Sequence, residues 1–390
     1  MNCYERALQE REELLCNRRY LHANAEAGLH MPRAKAFIKQ KLLDYGLEPQ
    51  DCGEGVTALL GSGGKVLLLR ADMDALPMKE ESGLDFACHG DCAHTCGHDM
   101  HAAMLLTAAK LLKESEGQLK GRVKFMFQPA EETFEGAANM LQHGILENPQ
   151  VDAALGFHVA AGQMPVGIFM YNDSGAMMFS SDGFRIHVKG KGSHGAYPQN
   201  SIDPINIACH THINLQELIA RESNPEHACI LTIGKMEAGT VQNVIPETAM
   251  LAGTIRANKV EARDHLLRRM EEVATGTAAV FGGSAEVEDL PGVPPLLCDP
   301  TLTRQMVSYM QELNIPGSMP HPGITASASE DFATIAQKVP SVFMYLSAGF
   351  TDERGAAPAH NPKVLFNEEV LPQGAAWLTH CALRWLEENQ

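Results

Sequence analysis

Cys88-His-Gly-Asp-Cys92-Ala-His94-Thr-Cys96-Gly-His98-Asp99-Met-His101 places three cysteines, four histidines and two acids within fourteen residues. Thiolate and neutral imidazole are the side chains that bind borderline-soft divalent ions, so the stretch signals a metal site before any fold is assumed. Read as Cys88-x3-Cys92-x3-Cys96, it could close a structural zinc or iron–sulfur knot of its own. Such a knot normally adds a second Cys/His pair roughly a dozen residues on. The chain instead continues with Ala102-Ala-Met-Leu-Leu-Thr-Ala-Ala-Lys-Leu-Leu-Lys113, a run of strong helix formers. Cys96 and His98 therefore stand at a helix start, and an ion there needs partners from elsewhere in the chain.

Those partners are sought at strand ends. Lys65–Arg70 is an apolar run of strand length that leads into Ala71-Asp72-Met73-Asp74, and Arg122–Gln128 leads into Pro129-Ala-Glu131-Glu132. Val151–Phe157 precedes His158, and Ser341–Leu346 precedes a Gly/Pro loop with Pro358-Ala-His360-Asn361. Amphipathic helices are expected over 2–24 and 31–45, and further helices over 135–144, 300–313 and 371–388, with another opening near Ser329. Strands alternating with helices predict a mostly parallel sheet covered on both faces. Ligands of such sheets collect at the carboxyl ends of the strands. Several elements deliver metal-type side chains to one edge, which makes Cys96, His98, Glu132, His158 and His360 the expected ligands.

Adjacent carboxylates repel unless a cation separates them or one is protonated. Glu132 is accordingly given to the ion and Glu131 to general-base work on the attacking water. Asp74 reads as the carboxylate that holds an imidazole tautomer, and Asp72 as local structure. Asp99 and His101 fall in the first helical turn, where an acid suits the dipole. Cys88, Cys92, His89 and His94 stay open between an accident of a metal-rich loop, a secondary metal contact and a redox-sensitive pair.

From about residue 181 the order becomes β-α-β-β-α-β, the ferredoxin-like arrangement. Pro291-Gly-Val-Pro-Pro295 punctuates a return. A chain of 390 residues exceeds what one core usually serves. The expected division is a catalytic, metal-binding domain over 1–180 and 291–390, and a lid or dimerisation domain over 181–290. In the lid, Gly190-Lys-Gly192-Ser-His194-Gly-Ala-Tyr197-Pro198 presents a histidine that can donate to a developing oxyanion. Asn243 and Arg256 are candidates for gripping a substrate carboxylate, with Tyr197 beside them, since Arg is the natural bidentate partner of a carboxylate. Ser329-Glu330-Asp331 reads as a helix cap.

The formal net charge of −17 argues against nucleic acid and anionic membrane surfaces as partners. It also means that an anionic substrate needs a local cation. The first residues lack a basic and apolar leader pattern, and no run reaches the roughly 18 apolar residues of a span, so a cytoplasmic location is expected. The ten cysteines are then expected as free thiols.

Together these pieces resemble the metal-dependent aminoacylase/carboxypeptidase amidohydrolases. The nearest branch is the one holding hippurate hydrolases, auxin-conjugate hydrolases and N-acetyl-diaminopimelate deacetylases. The resemblance is carried, in family order and over nearly the whole chain, by Arg70-Ala-Asp-Met-Asp-Ala-Leu-Pro77, Cys96-Gly-His-Asp-Met-His101 and Phe127-Gln-Pro-Ala-Glu-Glu132. Gly156-Phe-His158, Gly192-Ser-His194-Gly-Ala-Tyr-Pro198, Gly253-Thr-Ile-Arg256, Ser329-Glu-Asp-Phe332 and Ala359-His360-Asn361-Pro362 complete it. It implies an αβα metallohydrolase domain interrupted by a ferredoxin-like lid, with one or two zinc or manganese ions at Cys96, His98, Glu132, His158 and His360. It implies Glu131 as base. His194 and Asn243 resemble positions that often reach a neighbouring subunit's active site, hence a homodimer or tetramer through the lid. The reaction implied is hydrolysis of N-acetyl or aromatic N-acyl amino acids. A dipeptidase or other small-amide hydrolase is the alternative. A metal-binding or sensing protein that closes its shell with Cys88 and Cys92 is the alternative from another class.

Overall fold

The segment expected as one helix over 2–24 breaks at Glu10 into α1 (Cys3–Gln9) and α2 (Arg11–Ala23). A capping box between Asn2 and Glu5 starts α1, and Pro32 opens α3 (Pro32–Asp44). The structure, a computed structural model, describes residues 2–390. The chain divides into two compact units. The first comprises the residues up to Met177 with Leu297–Thr325 and Asp331–Gln390, and the second Met178–Leu296 with Ala326–Glu330.

The first unit is built on eight strands. β1 (Gln50–Cys52), β2 (Gly55–Gly61), β3 (Val66–Asp72), β4 (Arg122–Gln128), β5 (Ala153–Ala160) and β6 (Phe169–Tyr171) are joined by Pro320–Pro322 and Ser341–Ser347. Their order is β1-β2-β4-β3-β5, then Ser341–Ser347, β6 and Pro320–Pro322. β4, β3, β5 and Ser341–Ser347 run parallel, while β1, β2 and β6 make antiparallel contacts toward the edges. Every residue of β3 is buried, as a central strand covered on both faces requires. Helix α4 (His98–Glu114) is almost wholly buried and packs on β3 and on the helix Leu371–Glu388.

The ladder between β3 and β5 stops at Leu69 and Leu155, although the strands run on to Asp72 and Ala160. Their carboxyl ends are therefore unzipped from each other, where an α/β sheet takes its ligand. β5 also runs longer than the sequence pattern predicts, because its pairing with Ser341–Ser347 continues to Ala160. His158 lies inside the strand, not beyond it.

The second unit holds a four-stranded antiparallel sheet in the order Cys229–Ala238, Thr248–Ala257, Ser181–Lys189, Ser284–Val293. Helices Pro204–Glu217 and Val260–Val280 share one core with it, through Ile207, Leu215, Leu266 and Met270 against Phe184, Ile186, Leu251 and Ile255. This is the ferredoxin-like order. The unit is wider than 181–290. The strand Ser284–Val293 runs through Pro291 with a register shift between Asp289 and Gly292. Phe179 N–H, in turn, donates to the carbonyls of Ala326 and Ala328, drawing 326–330 into this unit. No helix among the described residues is long and apolar enough to cross a membrane.

Candidate metal centre

Three backbone features aim the donor side chains. Gly97, between Cys96 and α4, has φ +92°, and a Cβ there would lie 2.4 Å from Val159 Cγ2. Only glycine allows both the turn and the approach. Ala130, just after β4, and His360 hold φ of 52° and 65° without being glycines. Such residues cost about 1–2 kcal/mol and gather at functional sites. His360 is secured by its N–H, which donates to Thr95 O at 2.9 Å.

The side chains meet. Cys96 Sγ lies 3.2 Å from His158 Nε2 and 3.3 Å from His360 Nε2. His98 Nε2 lies 3.9 Å from a carboxylate oxygen of both Glu131 and Glu132. His360 Nε2 is 3.4 Å from Glu132 Oε1. The donors form overlapping groups whose atoms lie within 4.8 Å of one another: Cys96–His98–His158, Cys96–Glu132–His360 and His98–Glu131–Glu132. Asp74 Oδ1 is 3.2 Å from His98 Nδ1, and its Oδ2 accepts from the backbone N–H of Glu132. His158 donates from Nδ1 to Val159 O at 2.6 Å, which leaves the Nε2 lone pair directed at Cys96.

The electrostatics suit a cation. Burial alone would lower the His98 imidazole, yet Asp72, Cys96 and Asp74 hold it well above its usual range. Burial, reinforced by His101 and His98, pushes His158 well below its own. Burial pushes the Cys96 thiol up to about 12. The Glu132 carboxyl resists burial and sits low because His360 and His98 face it.

Residues 68–384 match the peptidase family M20/M25/M40. The chain belongs to that family. It is 35% identical to an N-acetyl-L-cysteine deacetylase of Bacillus subtilis over 97% of this chain and 89% of the relative. It is also 35% identical to IAA-amino acid hydrolase ILR1-like 4 of Arabidopsis thaliana, over 95% and 85%. The crystal structure of a Bacillus subtilis dinuclear metal binding peptidase of the M20 family superposes with a TM-score of 0.82, at 32% identity over 97% and 98% of the two chains.

As an M20-family member the chain is a metal-dependent hydrolase, and its own atoms fit divalent cations. His98 Nε2 and Glu132 Oε1 are buried with no hydrogen-bond partner. Buried polar atoms are nearly always paired. A cation held by an imidazole nitrogen, a thiolate and carboxylates satisfies both at once, and this donor set is the borderline-soft one.

Other residues of this M20 hydrolase fall differently from the sequence reading. Asp72, read as local structure, and His101, read as a first-turn residue, meet each other: His101 Nδ1 lies 2.5 Å from Asp72 Oδ1, and both residues are buried. His98 and His101 are three apart on a helix and so share a face, the signal that could have revealed this. Ser329-Glu330-Asp331 does not cap the helix that follows it, Ala333–Ala336, which has no side-chain cap. Asp331 instead accepts from Arg70, Gln128 and the N–H of Ala137. Among the described residues Cys88 and Cys92 join no donor group. Cys88 packs with Ala25 and Ala75, and Cys92 packs against them. All ten cysteines are free.

Within the second unit, His194 pairs with Val244 across a two-residue ladder, and Gly195 N–H donates to Asn243 O at 2.8 Å. His194 and Tyr197 rings are 5.6 Å apart, and both side chains are exposed. Those three candidates share one loop cluster. Arg256 stands apart, near the end of its strand, where Nη1 donates to Ser327 O and Ser329 Oγ.

Proposed function

We propose that the chain hydrolyses the amide of N-acyl amino acids, acetyl or aromatic acyl, to a carboxylate and a free amino acid. The observation that carries this reading is the pairing of a carboxylate, Glu131, with a five-donor cluster at the unzipped end of β3 and β5. The names of the relatives support the substrate class.

Cys96, His98, Glu132, His158 and His360 would hold the cation, and two donor groups sharing Cys96 favour an adjoining pair of ions. When bound, zinc or manganese polarises the amide carbonyl and acidifies a water. Glu131, 6% exposed, takes a proton from the attacking water and returns it to the leaving amine. Asp74 keeps His98 in the tautomer whose Nε2 faces the cluster. His194, reaching in from a neighbouring copy, donates to the oxyanion; Asn243 and Tyr197 of the same loop cluster hold the product-side carboxylate from that copy, and Arg256 grips it separately. The exposed edge strand Cys229–Ala238 supports a homodimer through the second unit, because a free edge is a template for another chain. Ten free thiols support a reducing, cytoplasmic setting.

The test is a panel of N-acetyl and N-benzoyl amino acids and dipeptides, run on metal-depleted protein with zinc or manganese restored. Cation-dependent release of amino acid from the acyl substrates is expected. Metal uptake without hydrolysis of any acyl amino acid would remove this reading, and turnover confined to dipeptides would move it to peptidase.

A further inference from the structure

Val159 follows His158 on the stretch of β5 that has left β3. Its N–H donates to His101 Nε2 at 2.8 Å, and its carbonyl accepts from His158 Nδ1 at 2.6 Å. Two imidazoles thus take up both polar groups of one residue's backbone. The His101 Nδ1–H donates to Asp72 Oδ1 at 2.5 Å, and Asp72 Oδ2 accepts from Arg70 Nη1 at 2.8 Å. Arg70 is pinned in turn by Gln128 Oε1 at 3.0 Å and Asp331 Oδ1 at 3.1 Å. Arg70, Asp72 and His101 are each 1% exposed or less. The chain of bonds is directional. A carboxylate can only accept, so Nδ1 of His101 carries the proton and Nε2 the lone pair that receives Val159. A ring engaged at both nitrogens has no lone pair left for a cation, even though Asp72, His98 and His101 lie close enough together to hold one. The His101 ring also stands edge-on to His158, with centroids 4.6 Å apart.

We infer that His101, locked by Asp72, is a positioning residue that sets His158 through the backbone of Val159. The inference rests on the reading of His158 as a metal ligand. Partners one step removed from a metal change affinity by about 10–100-fold.

The test is cobalt(II) titration of the full metal-depleted chain, read by its thiolate absorption band and dissociation constant. His101→Leu is expected to weaken cobalt by about 10–100-fold and to alter the band, while His101→Gln, with a donor and an acceptor, recovers part of the loss. In a His158→Ala background, where four donors remain, His101→Leu should cost less than about twofold, because the two residues act as one unit. Parent-like cobalt binding by His101→Leu would overturn the inference. So would an equal loss with and without His158. If His101→Leu does not fold by circular dichroism, the cycle run with His101→Asn decides, since its shorter amide does not span from Asp72 to Val159. A parent that takes up no cobalt overturns the metal reading itself, separately from the role of His101.

Discussion

Asp74 holds His98 by the ring nitrogen that faces away from the cluster, Oδ1 to Nδ1 at 3.2 Å. Its other oxygen accepts the backbone N–H of Glu132 at 3.1 Å, so one buried carboxylate orients donors from α4 and from the loop after β4. Asp74→Ala is expected to lower zinc affinity by about 10–100-fold with the fold intact. Isothermal titration would read it, and parent-like affinity would show that His98 needs no such support.

Gly97→Ala tests whether the turn into α4 is as tight as it looks. The added methyl meets Val159 Cγ2 at 2.4 Å and Phe366 Cε1 at 3.1 Å, at a φ of +92°. The left-handed conformation costs about 1–2 kcal/mol and overpacking about 1–3, so a loss of roughly 2–5 kcal/mol is expected in urea denaturation. Because the methyl pushes on the residue after His158, metal affinity should fall as well. A stable variant with normal metal uptake would mean the backbone relaxes there at little cost.

A third expectation concerns acid. Glu13 resists burial but accepts from Lys110, Tyr45 and Lys41, which hold its carboxyl at about 2. The unfolded value is about 4.3, so the stabilisation is present above that pH and is lost as pH falls toward 2. The side chain is 28% exposed, and screening limits the effect to the order of 1 kcal/mol. Stability curves of the parent and Glu13→Gln should differ by that amount near pH 6 and converge between about pH 4 and pH 2. A gap that stays constant over this range would show that the ion pairs contribute nothing.

The sequence carries much of this because the donors are chemically conspicuous. Cys96-Gly-His98, Glu131-Glu132 and His360 stand beside recognisable elements, and the strand Arg122–Gln128 and helix Leu371–Glu388 end where their patterns end. What stays hidden is non-local. The length of β5, and with it the placement of His158, depends on a partner strand that begins at Ser341. Asp331 looks like a helix cap until Arg70, 261 residues away, is seen to donate to it. His101 looks like a first-turn residue because nothing local shows that Asp72 and Val159 will meet its two nitrogens. Periodicity reports which face is buried, and says nothing about which buried polar groups find each other.

The two adjacent glutamates give the sharpest division of labour. Glu132 Oε1 approaches His98 and His360 and shares a donor group with Cys96, whereas Glu131 joins only His98 and Glu132 among the expected metal donors. A carboxylate that mainly binds the ion and one that mainly moves a proton respond differently to the same isosteric change. Glu132→Gln removes a charged ligand, so metal content should fall, and activity with it. Glu131→Gln leaves the ligand set in place, so metal content should stay near the parent while kcat drops by about 10²–10⁴-fold, with KM little changed. Metal analysis beside steady-state kinetics on an N-acetyl amino acid separates the two. If Glu131→Gln loses its metal, it is a ligand; if it keeps both metal and turnover, the proton is carried by another group.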